Sequence, residues 1–313
     1  MPGRRHRGMD AEGALMRDVD AGGGDRLALA VLAQYRMATT EQMHLLIAPD
    51  VRIEQTRRRL AKLKAEGLVD RITLPQAGRT RVWFATHYGA DVASEWPELR
   101  EWQPAKLGAD RTAARLRVGH ALTVTETGLA FVQDARRHGD VCPPLDWIPE
   151  VYHSLGTGEA VIPDALLYYR RSRRDGEGWS LLRAFVEVDR ATMGPERLAA
   201  KLLAYERLYR HVPVTVGRPR AAAYQVPAED WRRRYPIFPR LLFVLDGTGP
   251  DGIANRVNTL RSGAELTRAD FLAAVPILVA PLTDILRDGP SAPIWRPVTA
   301  PAEQVTWTHR RGD

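Results

Sequence analysis

The stretch RAFVEVDR, residues 183–190, places two acidic residues at alternate positions of a run that otherwise has the composition of a buried strand. Side chains alternate between the two faces of a strand, so Glu187 and Asp189 share a face with Phe185. Two acids on the outer face of a half-buried strand are ordinary and can be purely structural. Whether they form half of a metal site depends on what the neighbouring segments place beside them.

The preceding segment adds a third acid. In VIPDALLYY, residues 161–169, Asp164 follows a proline within an apolar run, where a carboxylate destabilises the fold unless it is paired or bound to a cation. The polar stretch 171–178 predicts a hairpin turn, so Asp164 is expected to lie across from Glu187. Facing carboxylates are the hard oxygen ligands that magnesium or manganese prefers.

The segment after the acidic strand supplies a positive charge. Within residues 193–210, apolar side chains recur at helical spacing from Leu198 to Tyr209, and Lys201 lies at the border of that stripe on the side that faces the sheet. Lys201 can therefore reach the two carboxylates. The alternative is a surface lysine whose aliphatic stem lies beside the stripe.

The N-terminal part of the chain predicts three short helices and a β-hairpin, which together are typical of a winged helix-turn-helix. Thr39 or Thr40 is expected to cap the second helix, with Glu41 or Gln42 in its first turn, and Asp25 to cap the first. The helices are DRLALAVLAQY (25–35), ATTEQMHLLI (38–47) and VRIEQTRRRLAKLKAEGL (51–68), and the strands are LVDRITL (68–74) and TRVWFAT (80–86).

The third of these helices is strongly basic and has a regular inward stripe that includes Thr56, Leu60 and Leu63. A helix of this kind can enter the major groove, where Arg pairs with guanine, Gln with adenine and Lys with phosphate. The alternative is a solvated face used for protein contact. The predicted DNA-binding residues are Gln55, Arg57, Arg58, Arg59 and Lys62 on the helix and Arg79 and Arg81 in the wing.

Composition limits the class of protein. The 313 residues carry a net charge of +7 with a pI near 9.8, which suits a polyanionic partner. The single cysteine, Cys142, excludes an internal disulfide and is expected to pack in a core, and with no long apolar run this suggests a cytoplasmic protein. The expected divisions are a leader (1–24), the winged helix (25–95), a linker (96–115), a second domain (116–289) and a Pro-rich tail (290–313).

The second domain is expected to hold a mixed sheet flanked by helices, making the whole chain α+β or α/β. Its Pro163-Asp164, the turn, Glu187 on the next strand and the helix behind it resemble the PD-(D/E)XK, restriction-endonuclease-like core. More specifically, a winged helix followed by VEVDRAT (186–192) and KLLAYERLY (201–209) is similar to the replication-relaxation family of mobile elements, akin to MobC-type plasmid relaxases. The resemblance covers roughly residues 25–285.

This resemblance implies a magnesium or manganese site held by Asp164 and Glu187, with Glu150 as a further acid. Asp189 occupies the position of the motif lysine, which departs from the family pattern and puts catalysis in question. Some nuclease relatives carry the lysine on the next helix, which makes Lys201 the substitute. The catalytic candidates are Asp164, Glu187, Asp189 and Lys201, with His120 and Arg190 as supporting residues.

Two functions remain open. None of the eight histidines forms the His-hydrophobic-His pair of common relaxases, and no Walker loop, Rossmann fingerprint or nucleophile elbow occurs. One function is a metal-dependent DNA nickase or relaxase of a plasmid or other mobile element. The other is a non-catalytic regulator or replication accessory protein with a degenerate nuclease-like domain. Either one binds double-stranded DNA, as a homodimer or together with plasmid-transfer or replication proteins.

Overall fold

The computed structural model describes residues 24–74, 78–99, 111–156, 158–173, 178–213 and 229–309, with the side chains of 111–116 left aside. The chain forms two compact units, divided between Leu129 and Ala130. The predicted leader lies outside the described residues, except for Gly24, which begins the first helix.

The first unit combines short helices with a three-stranded antiparallel sheet whose strand order is β1-β3-β2. The expected helices and hairpin are present, and a further short helix follows the hairpin. The elements are α1 (Gly24–Tyr35), β1 (Ala38–Thr39), α2 (Thr40–Ile47), α3 (Ile53–Ala65), β2 (Val69–Leu74), β3 (Thr80–Ala85) and α4 (His87–Ser94).

The start of α2 is set by a reciprocal cap. The Gln42 amide N–H donates to Thr39 Oγ1 at 3.1 Å, and the Thr39 amide N–H donates to Gln42 Oε1 at 2.9 Å. These bonds satisfy two of the amide groups that a helix start leaves without partners. Thr39 is therefore the cap. Asp25, in contrast, lies inside the first turn of α1, so its predicted capping role is wrong.

The next helix, α5 (Arg111–His138), begins inside the predicted linker. Its Val118 and Leu122 pack on the core cluster of the first unit, and Thr125 Oγ1 donates to the Met37 carbonyl at 2.6 Å. These apolar side chains cover the sheet, so the first unit extends beyond the boundary at residue 95 that the sequence predicts. Residues 100–110 of that linker lie outside the described part.

The second unit is built on a six-stranded sheet of order β11-β10-β9-β8-β7-β4, with a separate β5–β6 pair. The three strands β8, β9 and β10 run parallel, and the other neighbours are antiparallel. The strands are β4 (Trp147–Pro149), β5 (His153–Gly156), β6 (Glu159–Val161), β7 (Ala165–Ser172), β8 (Trp179–Asp189), β9 (Arg240–Leu245), β10 (Ile277–Pro281) and β11 (Arg296–Pro297).

Helices connect the parallel strands, as parallel pairing requires. Helix α6 (Glu196–Arg210) lies between β8 and β9, and helices α7 (Pro250–Glu265) and α8 (Ala269–Ala274) lie between β9 and β10. The last helix, α9 (Leu282–Asp288), follows β10 and precedes the antiparallel strand β11. The helices α6 and α7 approach so closely that a Cβ on Gly263 would lie 2.9 Å from the Ala199 Cβ. The chain is therefore a mixed α/β protein, as the sequence predicts.

The C-terminal segment, predicted as a Pro-rich tail, has little regular structure but packs into the core through its aromatic residues. Trp295 and Trp307 are completely buried, and Trp295 pairs with Val305 in a β-bridge. The Trp295 indole N–H also donates to the Pro290 carbonyl at 2.8 Å. Large aromatic surfaces at these positions outweigh the effect of the surrounding prolines. Cys142 is buried, as expected for a packing residue.

Candidate functional site

Glu187 lies in the middle of the sheet rather than on its wet edge. The strand β8 is flanked by β7 and β9, and the Glu187 side chain is 3% exposed. Its Oε1 accepts a hydrogen bond from the Tyr205 hydroxyl at 2.6 Å, and Lys201 Nζ donates to Oε2. Burial raises the pKa of the Glu187 carboxyl from 4.5 to about 7, although the Lys201 charge favours the ionised form.

Asp164 lies beside Glu187, as the sequence predicts, but just outside the strand. The β7–β8 register begins with Ala165 opposite Val186. Asp164 Oδ2 accepts a hydrogen bond from the Val188 amide at 2.7 Å. This bond to the neighbouring strand holds the carboxylate at the start of β7.

Lys201 joins the two acids. Its Nζ lies 3.7 Å from Asp164 Oδ2 and donates to Glu187 Oε2. Partial burial by itself lowers the pKa of Lys201, but the two carboxylates together raise it above the ordinary value. Lys201 therefore faces the cluster and is not a lysine whose charge extends away from the sheet. We call Asp164, Glu187, Lys201 and Tyr205 the acid–lysine cluster.

Tyr205 is the member that sequence reasoning missed, since its spacing assigns it to the helix core. It is fully buried there, yet its hydroxyl is bonded to Glu187. A signal was available: Tyr205 lies four residues after Lys201, which places both on the same helix face. A buried tyrosine hydroxyl generally has a hydrogen-bond partner, so an acid opposite that face was a candidate.

Asp189, which the sequence predicts as a catalytic residue, is paired with Arg256 of α7. Arg256 Nε donates to Asp189 Oδ2 at 2.5 Å, and the Ala191 amide donates to Oδ1 at 3.1 Å. Arg256 also donates to the Met193 carbonyl at 3.2 Å. These bonds tie the segment after β8 to α7. The Asp189 carboxylate is therefore held by groups outside the acid–lysine cluster.

The predicted three-acid metal site is not assembled. Glu150 is exposed and has φ 57°, and no group of three or more His, Cys, Asp or Glu side chains suited to a metal occurs within the described ranges. Asp164 and Glu187 bring two carboxylates to one place, and Lys201 lies between them. His120 is exposed on α5, and Arg190 Nε lies 3.9 Å from Asp246 Oδ2.

The polar and charged side chains of the basic helix α3 form two groups. Gln55, Arg57 and Arg58 are exposed, above the buried Thr56 and Leu60. The Arg57 guanidinium lies 3.2 Å from the Glu54 carboxylate, an exposed pair one turn apart. A polar face over an apolar stripe is the arrangement predicted for this helix.

The second group on α3 is held by α1. Arg59 Nε lies 2.9 Å from Asp25 Oδ1, and Lys62 Nζ lies 3.1 Å from Oδ2. These contacts were not foreseen, because the predicted role of Asp25 was a helix cap. At the hairpin, Arg79 and Arg81 are both exposed, and Arg79 has a positive φ of 63° in the turn.

Comparisons with known proteins identify a family. A model described as Replication-relaxation matches residues 29–216, more than half of the 313 residues. Among solved structures, the chain is similar to the C30AH42A mutant of Lactococcus lactis ZitR, with 20% identity and a TM-score of 0.22. That match covers 25% of this chain and 51% of the other, so the chain spans about half the length of that structure. No curated protein is significantly similar to the chain. Within the described residues, no helix has the length and apolar character needed to cross a membrane.

Proposed function

The chain belongs to the replication-relaxation family, and we propose that it binds the DNA of a plasmid or other mobile element and acts in its replication or mobilisation. Membership of the family supports such a role, and the net charge of +7 suits a polyanionic partner. The proposed partners are double-stranded DNA and either a second copy of the chain or replication and plasmid-transfer proteins.

The proposed DNA-reading element is α3, within a winged helix-turn-helix made by α1 to α3 and the β2–β3 hairpin. The observation that carries the proposal is the exposed polar face of α3, where Gln55 and Arg58 lie above a buried apolar stripe. These are the side chains that pair with adenine and guanine edges in the major groove. Arg79 and Arg81, which are exposed at the hairpin, are the proposed contacts to the phosphate backbone.

The other basic residues of α3 have separate roles in this proposal. Arg57 can exchange its exposed Glu54 partner for a phosphate at little cost, because surface ion pairs contribute little stability. Arg59 and Lys62 hold α3 against α1 through Asp25 and so orient the helix. Their removal is expected to lower both stability and affinity, whereas removal of Arg58 lowers affinity alone.

The experiment uses the full-length chain and a fluorescently labelled duplex of mixed sequence, with anisotropy measured across a salt series. Affinity should fall as salt rises, because cationic side chains release counterions from DNA. Arg58→Ala should weaken binding, and Arg81→Ala should weaken it less. Arg261→Ala, at an exposed position of α7, is the control. Equal affinity in wild type and Arg58→Ala would place the DNA surface elsewhere.

A second candidate function is metal-dependent DNA cleavage by a PD-(D/E)XK-like site in the second unit. The observation in its favour is the position of Lys201, which lies between Asp164 and Glu187 although the motif position on β8 is occupied by Asp189. In this candidate, Asp164 and Glu187 would hold a magnesium or manganese ion, and a bound ion would supply Lewis-acid activation of phosphate and water. Lys201 then neutralises phosphate charge, and Tyr205 holds Glu187 in place.

Nicking of supercoiled plasmid, with manganese calorimetry in parallel, tests the second candidate. Asp164→Asn and Glu187→Gln should abolish cleavage and weaken manganese binding, while salt-dependent DNA affinity is preserved. Lys201→Met should slow cleavage and leave manganese bound. A wild-type chain that binds DNA but neither binds manganese nor nicks it would favour the non-catalytic regulator with a degenerate nuclease-like domain.

A further inference from the structure

A cavity of about 780 Å³ lies in the second unit, away from the acid–lysine cluster. It is lined by the first half of β8, the first residues of β9 and β10, and the end of α8. Arg183 in its wall precedes Glu187 by four residues, which separates the two along β8 by about 13 Å. The cavity is therefore a separate feature of this unit.

The size and walls of the cavity suit a small molecule. Its volume falls within the range of about 300–1,000 Å³ that is typical of small-ligand sites. The apolar part of the wall includes three buried side chains, Phe238, Val275 and Ile277. Two further apolar lining residues are exposed to solvent, Leu181 by 51% and Ile237 by 68%. An apolar body entering here would remove these side chains from water.

The charge of the wall is positive. Arg183 Nε is buried and has no hydrogen-bond partner among the described residues, and its Cζ lies 5.3 Å from the Tyr168 ring centroid. Arg240, which is deeply buried, adds a second guanidinium and donates to the Trp307 carbonyl at 2.5 Å. The acidic residue among the described lining is the exposed Glu303. A buried donor on a charged group has lost its hydrogen bond to water, and an anionic oxygen makes the strongest replacement for that bond.

We propose that this cavity binds a small amphipathic anion, with an apolar or aromatic body against Phe238 and Ile277 and a carboxylate or phosphate at Arg183. The apolar body is stabilised by burial, and the anion gives Arg183 Nε an acceptor that the described protein groups do not provide. This ligand site lies within the second unit and is separate from the acid–lysine cluster.

The test is a fluorescence titration of the full-length chain with anilinonaphthalene sulfonate, compared with neutral phenylnaphthylamine, which has the same aromatic body. Arg183→Gln should weaken binding of the sulfonate by roughly tenfold, the effect of losing a charged hydrogen bond, and leave the neutral probe unchanged. Arg170→Gln is the matched control, because Arg170 is exposed on the neighbouring strand and outside the cavity lining.

A second variant tests the location without altering the arginine. Ala274 is exposed in the cavity wall, so Ala274→Trp should fill the space and block both probes. Ala254→Trp, at an exposed site on α7, should block neither. Displacement of the sulfonate by decanoate or by a nucleoside monophosphate distinguishes a carboxylate ligand from a phosphate ligand.

Four results would overturn the proposal. They are the absence of saturable binding in wild type, equal sulfonate binding in Arg183→Gln, undiminished binding in Ala274→Trp, and displacement by neither competitor.

Discussion

The exposed face of α3 and the acid–lysine cluster both concentrate charge, but they do so in opposite environments. Arg57 and Glu54 form a pair whose side chains are about half exposed, whereas Glu187 is almost completely buried beneath Lys201. Water screens the first set, so its charges are available to a partner at little cost to the fold. In the second set each charge is stabilised by its neighbour, so a substitution that removes one charge is expected to destabilise the fold as well as alter the site.

The Asp189–Arg256 pair gives the largest expected effect. Arg256→Met should destabilise the protein by about 3 kcal/mol, because it leaves a carboxylate without its partner in a site where both side chains are mostly buried. Denaturant unfolding measures the change, with Arg261→Met on the exposed side of α7 as the control. A loss no larger than that of the control would show that water replaces the guanidinium.

Lys201→Met should come next, with a loss of about 2–3 kcal/mol. The substitution leaves two neighbouring acids without their shared cation, but the Lys201 side chain is 42% exposed and solvent moderates the cost. Arg207→Met, on an exposed position of the same helix, should cost less than about 0.5 kcal/mol. Adding Glu187→Gln to Lys201→Met should recover part of the loss; a purely additive double variant would contradict coupling of the pair.

The pH dependence of stability should also distinguish the acid–lysine cluster from the exposed face of α3. The expected change is smaller than that of the two preceding variants. The pKa of Glu187 is about 7 in the folded state against 4.5 without burial, so the folded protein holds a proton that the unfolded chain releases. Stability should therefore fall by about 2 kcal/mol as pH rises from about 5 to about 7, relative to Glu187→Gln. If the unfolding free energies of wild type and Glu187→Gln changed equally with pH over that range, the prediction would be wrong and the Glu187 carboxyl would be exposed to water.

Arg57→Ala should have the smallest effect on the fold. Its exposed pair with Glu54 predicts a change in unfolding free energy below about 0.5 kcal/mol, within the range of surface ion pairs. DNA affinity should nevertheless decrease, most clearly at low salt. A double-mutant cycle with Glu54→Ala measures the coupling, and a value above about 1 kcal/mol would remove the contrast with the buried cluster.

Local sequence determined much of the secondary structure. The apolar spacing of α3 and the Thr39–Gln42 cap depend on residues a few positions apart, and both occur in the structure. The alternation along β8 predicted a half-buried strand, but residues 184–188 are all buried, because β8 is a central strand of the sheet. The hairpin also brought Asp164 beside Glu187, because the intervening turn and strand pairing restrict the register. Helical spacing and the short connection between β8 and α6 also predicted that Lys201 can reach the two carboxylates.

Only the tertiary structure decided which charges are paired and where the units end. Asp189 bonds to Arg256, 67 residues later, and Asp25 bonds to Arg59, 34 residues later. The packing of Val118 and Leu122 on the first unit likewise depends on a remote helix. Periodicity identifies the face of a helix or strand, but the partner on that face depends on which distant elements pack together to bury their apolar surfaces.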